Sequence, residues 1–127
     1  MRLFSKYCKL GIFLLITSSF AVAETDVISP QEAATMRVKD KAVIVDVREN
    51  SDWNEHQIHG AIHIPLSQLN ERLAELEPYK NRPIITQCVA GLRSAQAQLK
   101  LKATGFPKVY LMNGGIQAWH QQGLVTE

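Results

Sequence analysis

The residues best suited to chemistry lie within seven consecutive positions, Cys88-Val89-Ala90-Gly91-Leu92-Arg93-Ser94. A thiol is a weak nucleophile until it ionises, and backbone amides or cations close to the sulfur favour the thiolate. A loop that curls around a sulfur and then opens a helix aims its amides inward and forms an anion-binding nest. Gly91 allows such a curl without steric penalty. Arg93 adds a permanent cation suited to an oxyanion, and Ser94 is read as the helix cap and a hydroxyl donor. Two reactions use a thiolate beside an anion pocket. One accepts a sulfane sulfur and holds it as Cys–S–SH; the other attacks phosphorus in a phosphate ester. A full phosphoryl group calls for a loop one residue longer than the four residues that separate Cys88 from Arg93, so the spacing favours sulfur transfer. The bland reading of a lone cysteine is a small buried apolar residue.

The elements that must hold this loop are legible as alternating strands and helices. Ile84-Ile85-Thr86-Gln87 is a buried strand running straight into Cys88. Ala42 to Val47 is a continuous β-branched run, read as a parallel strand with Asp46, Arg48 and Glu49 clustered at its carboxyl end. Gly60 to Ile64, closed by Pro65, and Val109 to Met112 are further strands. Ser29-Pro30-Gln31-Glu32 is a strong helix start, with the helix reaching about Arg37. Further helices are expected from Ser67 to about Leu76, from Ser94 to about Ala103, and from Ile116 to Gln122. Residues 49–60 read as a polar connection. The alternation predicts an α/β domain with a mainly parallel sheet and helices on both faces. Ligands bind such sheets at the carboxyl ends of strands, where Cys88 and the Asp46/Arg48 pair both fall.

With those residues in view, the chain resembles the rhodanese-like domain family. CVAGLRS at 88–94 is similar to that family's Cys-x-x-Gly-x-Arg-Ser loop, and Val45-Asp46-Val47-Arg48-Glu49 resembles its Asp-x-Arg-Glu strand end. The segment from His56 to Pro65 resembles its His-Ile-x-Gly-Ala-x-x-Ile-Pro stretch, and Val109 to Trp119 its Gly-Gly-x-x-Ala-Trp signature. The resemblance implies a rhodanese-like fold, with a five-stranded, mainly parallel sheet flanked by helices on both faces. It implies thiosulfate sulfurtransferase chemistry through a Cys88 persulfide, with cyanide or a thiol as acceptor and no metal or organic cofactor. Under it the backbone of Val89, Ala90, Gly91 and Leu92 with Ser94 lines the substrate, and Arg93 binds sulfonate oxygens or orients the loop. A charged hydrogen bond of that kind is worth about 1.5–3 kcal/mol. Asp46 and Arg48 are expected to support the site as an ion pair bracing the strand end. One departure bears on the donor: the family often carries a basic or polar residue after the cysteine, whereas Val89 and Leu92 are apolar here. A less cationic rim leaves open a less charged persulfide or thiol. A relay module that presents a persulfide to a protein thiol, with little turnover on small acceptors, is the alternative.

The amino terminus reads as a targeting segment. Arg2, Lys6 and Lys9 precede an apolar run from Leu10 to Phe20, and Ala21-Val22-Ala23 supplies small residues for a signal peptidase. The run is shorter than the roughly 20 residues of a spanning helix. Residues 1–23 are therefore expected to be a secretory signal peptide, and residues 24–127 a single periplasmic domain. Cleavage takes three of the 14 basic residues and none of the 12 acidic ones, leaving 11 against 12 and a net charge of −1. That balance argues against nucleic acid and anionic membrane as partners. It also leaves Cys88 as the sole cysteine, unable to form an internal disulfide, and a monomer is expected. His56, His59 and His63 are spaced like metal ligands, but Gly60 and Pro65 break a helix and no cysteine or carboxylate completes a site. His56 is expected to bond backbone, and Trp53 and Trp119 to pack in or near the core. Gly114-Gly115 lacks the spacing of a nucleotide loop.

Overall fold

The computed structural model describes residues 26–126, so the expected signal peptide lies outside the described residues. Five strands form one sheet: β1 Val27–Ile28, β2 Val43–Asp46, β3 Ile62–His63, β4 Ile84–Gln87 and β5 Val109–Met112. Their order is β1-β5-β4-β2-β3, and every pairing is parallel. The helices are α1 Pro30–Lys39, α2 Asn50–Glu55, α3 Leu92–Ala103 and α4 Gly115–Gln121.

Alternation along the strands sends successive side chains to opposite faces, which divides the core. Val43, Val45, Val47, Ile84 and Cys88 pack with Ala97 and Leu101 of α3 on one face. Ala42, Ile44 and Ile85 pack with Ala33 of α1 and with Ile116 and Trp119 of α4 on the other. Such burial supplies the main favourable free energy of folding. The α1 start is as the sequence predicts: the Ser29 hydroxyl accepts from the Glu32 amide at 3.0 Å, with Pro30 at the first helical position.

Three expectations are corrected. The segment after Pro65 is not a helix from Ser67 to Leu76 but two 3₁₀ segments, Leu66–Gln68 and Leu73–Tyr79. Leu69 and Leu76 are buried nonetheless, so the apolar spacing is met without a continuous ladder. The polar stretch after Glu49 contains α2, which has no buried residue and hence no amphipathic signature. Ser94 does not cap α3: that helix begins at Leu92, with Gly91 at the cap position.

Candidate active site

The β4 strand ends at Gln87, and the next residue, Cys88, is 2% exposed at the floor of the turn leading to α3. Strand and helix are tied behind it, because the Thr86 hydroxyl is 2.9 Å from the Ser94 carbonyl and 3.3 Å from that of Tyr110. The turn needs Gly91 for conformation alone: its φ is +120°, and a Cβ there would meet no atom within 4 Å. This geometry sends the Gly91 amide back to donate to Cys88 Sγ at 3.0 Å. Ser94, in the first turn of α3, sets its Oγ 3.4 Å from the same sulfur and 2.9 Å from the Gly91 carbonyl. With the thiol, Cys88 donates to Ser94 and Ser94 donates to Gly91. With the thiolate, the hydroxyl proton can turn to the sulfur.

Two influences oppose each other at Cys88. Burial, the largest, pushes its thiol up. The Ser94 hydroxyl and the amides of Ser94, Gly91 and Arg93 together outweigh burial, so the thiol titrates below its ordinary value. The sulfur is therefore both packed against the core and chemically tuned.

The loop is held from below by α4. The Ile116 amide donates to the Cys88 carbonyl at 2.8 Å, and the Gln117 amide to Val89 at 3.4 Å. That approach requires glycine at 115, where φ is +58° and a Cβ would lie 2.2 Å from the Cys88 carbonyl oxygen. Gln87 is fully buried and also donates to the Cys88 carbonyl, at 2.7 Å, while its Oε1 lacks a partner. In the sequence Gly114-Gly115 stands out only as the start of the Gly-Gly-x-x-Ala-Trp stretch; its docking role and that of Gln87 depend on contacts the sequence does not display.

Asp46 and Arg48 form a buried ion pair, both at most 1% exposed. Arg48 Nη2 is 2.7 Å from Asp46 Oδ2, its Nε is 3.0 Å from both carboxylate oxygens, and the Arg48 amide reaches Oδ1 at 2.9 Å. The rest of the guanidinium grips the backbone around α2, at the Asp52 carbonyl (3.4 Å) and the His56 carbonyl (2.8 Å). The pair thus braces α2 against the sheet. The Asp52 side chain, which sequence reasoning missed inside a polar connection, stands 3.6 Å from Arg93 Nη2. Of the remaining loop residues, Val89 is partly buried, Ala90 exposed, and Leu92 78% exposed.

The histidines do not converge. His63 Nε2 lies 2.7 Å from the Arg48 carbonyl, and its ring stacks on Trp53 at 4.7 Å between centroids. The His56 ring faces His120 at 4.9 Å, while its backbone carbonyl, not its ring, meets Arg48. The carbonyl of His59 accepts from Arg37. Among the described residues no group of three or more metal-ligating side chains is placed to hold a metal. Trp119 is buried as expected, its indole N–H donating to the Val125 carbonyl at 3.0 Å. Two concavities, of about 340 and 600 Å³, are lined by Arg37 with Lys41, Tyr79 and Arg82 and by Arg37 with His59 and Trp119, respectively; neither includes a residue of the cysteine loop.

Fold and loop define a class: a parallel α/β domain with a buried thiol, held below its ordinary titration, at the carboxyl end of a central strand. Comparison with known proteins narrows it. A family model described as the rhodanese-like domain matches residues 29–122, and the chain belongs to that family. It is 28% identical over 112 residues to the uncharacterized protein YibN of Escherichia coli, covering 87% of this chain and 78% of YibN. It is 32% identical over 92 residues to the thiosulfate sulfurtransferase GlpE of Coxiella burnetii, covering 72% of this chain and 84% of GlpE. Among solved structures, a rhodanese-related protein of Thermoplasma volcanium superposes with a TM-score of 0.71 at 29% identity, covering 80% of this chain and 96% of that one.

Proposed function

We propose that this protein is a sulfurtransferase that carries sulfane sulfur as a persulfide on Cys88. The observation that carries the reading is the Gly91 amide 3.0 Å from a sulfur whose thiol is held below its ordinary value. The same amide can stabilise the charge of Cys88–S–S⁻ once a second sulfur is attached. With thiosulfate as donor, the Cys88 thiolate attacks the outer sulfur, the S–S bond breaks, and sulfite leaves with the bonding pair. With cyanide as acceptor, its carbon attacks the terminal persulfide sulfur, thiocyanate departs, and the Cys88 thiolate returns. Neither step requires a metal or an organic cofactor. The likeness to GlpE supports thiosulfate as a usable donor.

Residues 1–23 support export, with cleavage before Glu24 and action in the periplasm. The alternative is a relay, in which the persulfide on the recessed Cys88 is handed to a protein thiol with little turnover on small acceptors. Incubation of purified protein with thiosulfate and cyanide tests the enzyme reading. Thiocyanate that disappears in Cys88→Ser supports it, a loaded but non-turning protein favours the relay, and an unloadable Cys88 contradicts both.

A further inference from the structure

The charge balance at the loop bears on which donor the site takes. Arg93 is the only cationic side chain in residues 88–94. Its Nη2 faces Asp52 Oδ2 at 3.6 Å, with the two side chains 32% and 38% exposed. The main chain at Asp52 is held in place, because its backbone carbonyl accepts from Arg48 at 3.4 Å and Arg48 is paired with the buried Asp46. The carboxylate thus faces Arg93 from a helix tied to the sheet, and it offsets part of the positive charge that the guanidinium offers an incoming dianion. The other side chains of the rim, Val89, Ala90 and Leu92, are uncharged, and Leu92 projects into solvent. A neutral, partly apolar rim suits a donor with a carbon group next to the sulfur better than it suits a small dianion.

Building on the Cys88 persulfide reading, we infer that the preferred donor is an organic persulfide of low charge, R–S–SH, and that Asp52 selects it by competing with thiosulfate for Arg93. In the loading step the Cys88 thiolate attacks the terminal sulfur of R–S–SH. A new S–S bond forms to Cys88, the donor's S–S bond breaks, and the electron pair leaves on RS⁻. The proton stays on the transferred sulfur, giving Cys88–S–SH, which the loop amides can then help to ionise.

The test measures the rate of sulfur addition to Cys88 by quenched intact mass spectrometry, with thiosulfate, a dianion, and with the persulfide of 2-mercaptoethanol, which carries at most one negative charge, as donors. The wild-type protein is expected to load faster from the persulfide. Asp52→Asn should raise the thiosulfate-to-persulfide rate ratio by about two- to fivefold at low salt, the range an exposed ion pair allows. Added salt should shrink that gain, Asp52→Glu should restore the wild-type ratio, and the gain should vanish when Arg93→Ala is present as well. A wild-type protein that loads as fast or faster from thiosulfate overturns the inference. So does an Asp52→Asn ratio equal to wild type, or a gain that survives loss of Arg93. Loading from neither donor overturns the persulfide reading itself, and the inference falls with it.

Discussion

The Gly91 amide and the Cys88 sulfur stand 3.0 Å apart across the turn that joins β4 to α3. The Ser94 hydroxyl at 3.4 Å and this amide together turn a buried core cysteine into a candidate nucleophile, because they give the anion partners where burial alone would suppress it. The Cys88 thiol should therefore ionise below the ordinary thiol range, and Ser94→Ala should move the midpoint upward by removing the hydroxyl that favours the thiolate. Ultraviolet thiolate absorbance across a pH titration reads both. A Ser94→Ala midpoint equal to wild type would show that the hydroxyl stays on the Gly91 carbonyl.

The same titration has a thermodynamic consequence. A thiol whose folded-state pKa is depressed contributes stability that is fully present above the unfolded thiol's pKa and is lost as pH falls through the folded value. The stability of the wild-type protein relative to Cys88→Ala should thus rise with pH between those two points. Parallel denaturant titrations of the two proteins at several pH values check the sign. A difference that falls with rising pH would mean that burial, not the loop, dominates.

Arg93→Ala should weaken thiosulfate use by less than a free charged hydrogen bond would suggest. The sequence alone points to about 1.5–3 kcal/mol. The structure places Arg93 a third exposed and already facing Asp52, which lowers the expectation to about 0.2–1 kcal/mol, or under about fivefold in kcat/KM. A loss of a hundredfold would show that Arg93 leaves Asp52 and grips the donor.

Gly115→Ala should damage the site from behind. The new Cβ would meet the Cys88 carbonyl oxygen at 2.2 Å with φ in the left-handed region, so the α4 amides would have to withdraw. A cost of about 1–3 kcal/mol is expected for the strained backbone alone, with a lower Tm and slower persulfide loading. Loading at the wild-type rate would show that the α4 contact does not set the loop's geometry.

Asp46→Ala should act mainly on stability. It leaves the Arg48 guanidinium buried and short of its carboxylate, a loss of about 3–5 kcal/mol. Chemical denaturation measures it. A change under about 1 kcal/mol would mean that the pair contributes like a surface one.

Much of this arrangement is legible in the sequence because its physics is local. The β-branched runs before Asp46 and Cys88, the Ser29-Pro30 helix start and the seven-residue loop each carry their own signal. Val27–Ile28 reads only as an apolar pair, since two residues show no period; its place in the sheet comes from pairing with Leu111 and Met112 of β5. Residues 66–79 keep helical apolar spacing yet form 3₁₀ segments, with Pro78 inside the second. The Asp52–Arg93 contact and the Gly115 approach to Cys88 join residues distant in the chain and of unremarkable type, so only the fold brings them into view.

Mass spectrometry of the protein isolated from its own cellular compartment tests the central claim most directly, since it reads the sulfur state of Cys88 as the cell leaves it. The expected result is a chain beginning at Glu24, with a reductant-labile addition of one sulfur atom on the peptide that contains Cys88. A Cys88 that is always a bare thiol, and that gains no sulfur from any sulfane donor afterwards, would contradict it.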